Sequence, residues 1–182
     1  MSEMFSRRVF LRGLSVVAAA AALTACSSTN EAVNQALIEG AVGGIVAADC
    51  KIGRMTYWAA NATVPVYEIS FRIVMTNVSS KPVTLSGDNF ATTLDGTPIP
   101  PFNFSARDVG DADIWRTYDS LTIRPGEERS VALAYEISQP TYDSWYKSSR
   151  TVAVSFTCGN QRVTYTKNSR SDEITVSDIE TL

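Results

Sequence analysis

VPVYEISFRIVMTNVSSKPVTL, residues 64–85, decides how this chain is read. Tyr67, Ile69, Phe71, Ile73 and Met75 fall at every second position, with Glu68, Ser70, Arg72 and Thr76 in the intervening phase. Period two marks a strand with one face in a core and the other in water. Asn77-Val-Ser-Ser-Lys81-Pro82 carries turn chemistry, and Val83 to Leu85 starts a second extended run. The stretch reads as the central hairpin of a β-sandwich.

Upstream, residues 45–58 read as a first long strand with Cys50 and Ile52 in phase and Gly53 as a candidate bulge. Downstream, a short strand at residues 90–94 meets Asp95-Gly96, a strong hairpin-turn signal. Pro98, Pro100 and Pro101 then confine the chain to a sheet edge. Residues 102–117 are the least regular region. Beyond them Arg124-Pro125-Gly126-Glu127 has the residue order of a type II turn. Val131, Leu133, Tyr135 and Ile137 alternate again, and Val152, Val154 and Phe156 form another inward row with Cys158 in the same phase. Residues 141–150 suggest one helical turn between these rows. Gly159-Asn160 is a hairpin signal leading to Val163 and Tyr165, and Ile174 to Val176 forms a last strand. Seven to nine short strands without a long helix predict an all-β, two-sheet antiparallel sandwich over residues 43–182.

The N-terminal segment has a different character. Ser6-Arg7-Arg8-Val9-Phe10-Leu11-Arg12 precedes an alanine-rich apolar run that ends at Cys26. Basic, apolar and small residues in that order make an export signal over residues 1–25, and the run is too short for a membrane span. It resembles a bacterial twin-arginine signal, with Arg7 and Arg8 as the arginine pair. Leu23-Thr24-Ala25-Cys26 resembles a lipobox, which implies that Cys26 is acylated and becomes the first mature residue. Acyl chains there would tether the protein to a membrane from outside the cytoplasm, each buried methylene adding about 0.8 kcal/mol. Residues 26–42 then read as a flexible or weakly helical spacer.

Loss of residues 1–25 removes Arg7, Arg8, Arg12 and Glu3, which moves the net charge from −3 to −5. A mildly acidic domain lacks the electrostatic footprint of a nucleic-acid binder. Cys50 and Cys158 remain, and in an oxidising compartment two leftover thiols are expected to pair. The loop so closed would contribute about 4–5 kcal/mol in the chain-entropy model. The chain contains no histidine, so a zinc or copper centre and the usual catalytic triads are not expected. Asp108, Asp111 and Asp113 crowd together without the spacing of a calcium loop, and a solvated acidic loop is the simpler reading.

The run from Thr76-Asn77 through Lys81-Pro82, then Asn89-Phe90, Leu94-Asp95-Gly96 and Leu121-x-Ile-x-Pro125-Gly126-Glu127, resembles an immunoglobulin-like domain of unknown function common in bacterial lipoproteins. These motifs are structural, so the resemblance implies a fold and no activity. The expected function is a non-catalytic binding or protein-interaction module without a cofactor, held at the cell envelope through lipid on Cys26. Trp115, Tyr118, Tyr142, Trp145 and Tyr146 are its candidate interaction residues, being of types enriched in interface anchors and outside the clearest strands. Envelope support or chaperoning of exported cofactor or redox proteins is the alternative. A hydrolase using Asp111, Asp113 and Glu136 is a more distant one.

Overall fold

The computed structural model describes residues 40–57, 63–101, 103–109 and 115–182. Their strands are β1 (Ile45–Tyr57), β2 (Val66–Asn77), β3 (Val83–Leu85), β4 (Phe90–Leu94), β5 (Thr97–Ile99), β6 (Asn103–Asp108), β7 (Arg116–Thr117), β8 (Leu121–Ile123), β9 (Glu128–Glu136), β10 (Thr151–Cys158), β11 (Gln161–Asn168), β12 (Ile174–Val176) and β13 (Glu180–Thr181). One short helix, α1 (Gln139–Asp143), joins β9 to β10. The strand count exceeds the seven to nine expected: β5, β7 and β13 are only two or three residues long, and β6 lies in the stretch 102–117 read as irregular, where its inward row is only Phe104 and Ala106.

The strands form an antiparallel β-sandwich. One sheet has the order β1-β2-β9-β6-β7, and the other β12-β11-β10-β4-β5 with β13 beside β11. A small β3-β8 pair stands apart. The alternation of β2 builds the interior as anticipated: Ile69, Phe71, Ile73 and Met75 are buried. Val131, Leu133 and Tyr135 of β9 lie beside them, and Val152, Val154 and Phe156 of β10 come from the facing sheet. Phe71 meets Phe90 and Tyr165 at centroid distances of 6.1 and 5.8 Å, and Phe90 stacks on Phe156 at 5.1 Å. Aromatic pairs of this kind add about 0.5–1.5 kcal/mol each beyond the area they bury.

The β2 hairpin does not form. β2 pairs with β1 and β9, while β3 pairs with β8. Asn77 explains the difference. Its Nδ2 donates to the Ile123 and Lys81 carbonyls at 2.9 and 2.8 Å, and its Oδ1 accepts from the Ser79 amide at 2.9 Å. The residue is fully buried, so these bonds satisfy an amide that would otherwise be costly, and they send the chain across to β8 instead of back along β2.

The bulge in β1 also departs from expectation. Register shifts between Ala48 and Lys51, where Asp49 has φ +48°, and Gly53 pairs regularly with Ser70.

Ala41 and Val42, at the end of the expected spacer, are buried, and Val42 bridges Ile45. Gly43 follows at φ +57°, so close to Cys158 that a Cβ would lie 2.4 Å from the sulfur. The described chain therefore starts at the end of the sandwich that holds the Cys158–Gln161 hairpin and the Asn77 and Gly126 turns. This is called the near end below; the α1 end is the far end.

Candidate functional site

At the far end the sequence alternates from chain to cap. Ser138 begins α1, its hydroxyl accepting from the Thr141 amide at 3.3 Å, with Pro140 in the first turn where its missing N–H costs nothing. The helix aims Tyr142 at Tyr67 of β2, with ring centroids 5.0 Å apart. Arg54 reaches in from β1. Its guanidinium donates to the Tyr142 carbonyl at 2.5 Å and lies over the rings of Tyr142 and Tyr146, 4.2 and 4.7 Å from their centroids. Tyr146 remains 61% exposed. An arginine held between two phenol rings, one of them open to solvent, presents both a charge and a flat apolar surface.

Beside this group, Asp95 receives Arg150 Nη1 and the Thr151 amide, each at 2.8 Å. The arginine hydrogen bond, then the amide, hold the Asp95 carboxyl below the usual carboxylate range. This network fixes the β4–β5 hairpin against the segment after α1.

The structure separates the five aromatic candidates. Tyr142 and Tyr146 come together at the far end. Trp145 does not join their surface: at 2% exposed it belongs to the core, turned inward between two outward neighbours. Tyr118 is half-buried and packs against the core from beyond β7. Trp115 is half-buried, with the Arg107 and Arg72 guanidiniums 5.0 and 5.4 Å from its ring centroid. Arg72 and Arg107 are in the outward phase of β2 and β6, so Trp115 belongs to the outward side of that sheet and not to the far end. Sequence reading missed Arg54, whose role depends on β1 and α1 meeting. Arginine beside aromatic-rich loops is the one available signal.

The expected disulfide is corrected. Cys50 and Cys158 are both free. Cys158 sits beside Gly43, its thiol 3.8 Å from that carbonyl, whereas Cys50 lies seven residues further along, within the influence of Tyr165 and Lys167. Tyr165 is four residues up β11 from Gln161, the partner of Cys158, which at 3.3 Å per residue is about 13 Å. A disulfide needs Cα atoms within about 7 Å. Both cysteines keep the phase read from the sequence but occupy different levels. Burial pushes the Cys50 thiol up to about 12, and raises that of Cys158, so neither is a ready nucleophile.

Asp108 ends β6 and pairs with Arg129, while Asp111 and Asp113 lie outside the described residues. Among the described residues no group of three His, Cys, Asp or Glu could hold a metal ion. No described helix is long and apolar enough to cross a membrane. Arg7, Arg8 and Cys26 fall outside the described residues as well.

No protein-family model matches the chain, and neither does any curated protein. Among solved structures it is similar to an uncharacterized β-sandwich protein from Clostridium difficile 630, at 16% identity over 68% of this chain and 83% of that one, with a TM-score of 0.41. The yjhA protein of Bacillus subtilis is similar at 16% identity over 62% and 73%, with a TM-score of 0.39. A functionally unknown protein of Listeria monocytogenes EGD-e gives 13% over 62% and 66%, with a TM-score of 0.38.

Proposed function

We propose that this protein is an exported lipoprotein, anchored through Cys26, whose sandwich serves as a non-catalytic binding module for a protein partner. The observation that carries the reading is the placement of the two ends. Gly40 meets the sandwich at the near end, while the Arg54–Tyr142–Tyr146 group lies at the far one. A lipid on Cys26 and the 14 residues from there to Gly40, spanning at most about 50 Å, would hold the near end toward the membrane and turn the far end outward. Tyrosine and arginine are the residue types that most often dominate binding energy. The buried thiols and the lack of histidine favour binding over catalysis.

The test has two parts. Mass spectrometry of the N-terminal peptide from membranes should find diacylglycerol on Cys26, and Cys26→Ser should release the protein. Crosslinking in intact cells should then capture a partner with the anchored protein and lose it with Tyr146→Ala. An unmodified Cys26 would refute the anchor, and an unchanged crosslinking pattern in Tyr146→Ala would refute the far-end site.

A further inference from the structure

A strand at the edge of a sheet presents a row of unpaired backbone groups, and proteins blunt such edges with short strands, proline or a bulge. β5, β7, β12 and β13 each have three residues or fewer, and β5 carries Pro98. β1 is different. It is the outer strand of its sheet and runs for 13 residues. Its first half is guarded. Val42 and Ile45 exchange both backbone bonds, at 2.9 and 3.0 Å, across a turn in which Gly43 and Gly44 have positive φ. The bulge at Asp49 then shifts the register. From Lys51 to Tyr57 neither device is present, and pairing with β2 is regular.

The pairing also fixes which groups are free. The Asn77 amide donates to the Glu127 carbonyl, and the Tyr67 carbonyl accepts from the Ile137 amide, so the odd-numbered residues of β2 turn their backbone groups toward β9. Alternate residues of a strand bond to opposite sides. Arg72, Ser70, Glu68 and Val66 therefore bond toward β1, to Lys51, Gly53, Met55 and Tyr57. Ile52, Arg54 and Thr56, lying between, point their N–H and C=O groups outward from the sheet edge. Among the described residues none of these groups has a partner, and β12 approaches β1 from the facing sheet without pairing with it.

We propose that Ile52, Arg54 and Thr56 take up an extended acidic segment of the protein partner as a further strand beside β1. The proposal rests on the far-end reading above and states how that partner is held. Arg54 belongs to both places: its backbone lies on the open edge, and its guanidinium lies over Tyr142 and Tyr146. Lys51 and Arg54 are the only charged residues of the open half, both are cationic, and neither has an ion pair among the described residues. A second copy paired about Arg54 would set that arginine against its own image, and like charges directly opposite destabilise a pair. A carboxylate opposite Arg54 reverses the sign. At 3.3 Å per residue the open half spans about 20 Å, room for about six residues.

The test is hydrogen exchange on the full chain, labelled with nitrogen-15, with the probe peptide acetyl-Thr-Val-Glu-Val-Thr-Val-amide at millimolar concentration. The peptide should slow exchange at the Ile52, Arg54 and Thr56 amides tenfold or more and leave Gly53 and Met55, already bonded to β2, unchanged. Replacing its glutamate by glutamine should weaken binding threefold or more, and methylating alternate backbone nitrogens should abolish binding for one alternate set only. Thr56→Pro removes an outward N–H without touching a bond to β2, so it should keep the dispersed spectrum and lose the peptide. Unchanged exchange at the three amides, equal binding of the glutamine peptide, or protection that grows with protein concentration in the absence of peptide would each overturn the proposal. Crosslinking in cells separates the two readings. A crosslink lost with Tyr146→Ala but kept with Thr56→Pro would overturn strand addition and leave the far-end site standing. One lost with Thr56→Pro alone would support the added strand and refute that site.

Discussion

The two ends of the sandwich are closed by different chemistry. At the near end the buried contacts centre on an amide: Asn77 ties three segments together, Gly126 donates to the Asn77 carbonyl at 2.8 Å, and Gly43 lets the chain lie against Cys158, with Arg129 paired to Glu127 and Asp108 outside them. At the far end they are long side chains, with Arg54 over two tyrosines and Arg150 on Asp95. Asn77 is fully buried and bonded to two main-chain carbonyls, so it cannot leave its partners without opening the interior, whereas Tyr146 is 61% exposed and can rotate freely of it. The near end is therefore tied to the fold, and the far end is the one whose contacts can change without disturbing it.

The comparison can be broken most forcefully at Asn77. Asn77→Ala would leave the Ile123 and Lys81 carbonyls without their donor and should cost roughly 2–4 kcal/mol, read by urea denaturation. A loss below about 1 kcal/mol would mean that the near end is not governed by this amide. Gly43→Ala comes next, at about 1–3 kcal/mol, since it forces a side chain into a left-handed backbone position already filled by Cys158.

Asp95→Asn should have a smaller effect, and one that depends on pH. The folded Asp95 carboxyl lies below its unfolded range, so its contribution is present above the unfolded pKa and is lost as pH falls through the folded one. Thermal melts should show the variant less stable near neutrality and level with the native protein at strongly acid pH. Glu68 has the opposite sign. Burial raises it and the Arg72 charge only partly opposes this, so its burial costs stability above its folded pKa and that cost disappears on acidification. Glu68→Gln should raise the melting temperature at neutral pH, with the gain shrinking toward acid. Tyr146→Ala should change stability by less than about 0.5 kcal/mol while abolishing the crosslink expected under the proposed function, which is the sharpest form of the contrast between the ends.

What the sequence made legible follows the range of each signal. The alternation of β2, β9 and β10 is local, and those strands stand where it placed them. The turns at Asp95-Gly96, Gly126 and Gly159 rest on local conformation too, and all carry positive φ. Pairing is not local. β2 contacts β9, some 60 residues away, and nothing within residues 64–85 distinguishes that partner from β3. Phase correctly put Cys50 and Cys158 on inward rows, but their level along the strands is a matter of register. Likewise the opposition of Glu68 to Glu136 becomes visible only once β2 and β9 are aligned. For the aromatic candidates, composition marked the right segment, while the sense of the turn after α1 decided that Trp145 faces in and Tyr146 out.

Two thiols held apart by the register also bear on when this chain can mature. No covalent cross-link between Cys50 and Cys158 has to be made before the interior closes, so folding does not wait on an oxidant. The sandwich can therefore close under reducing conditions, with both thiols left free. That is the order of events required of a cargo that a twin-arginine route would carry already folded.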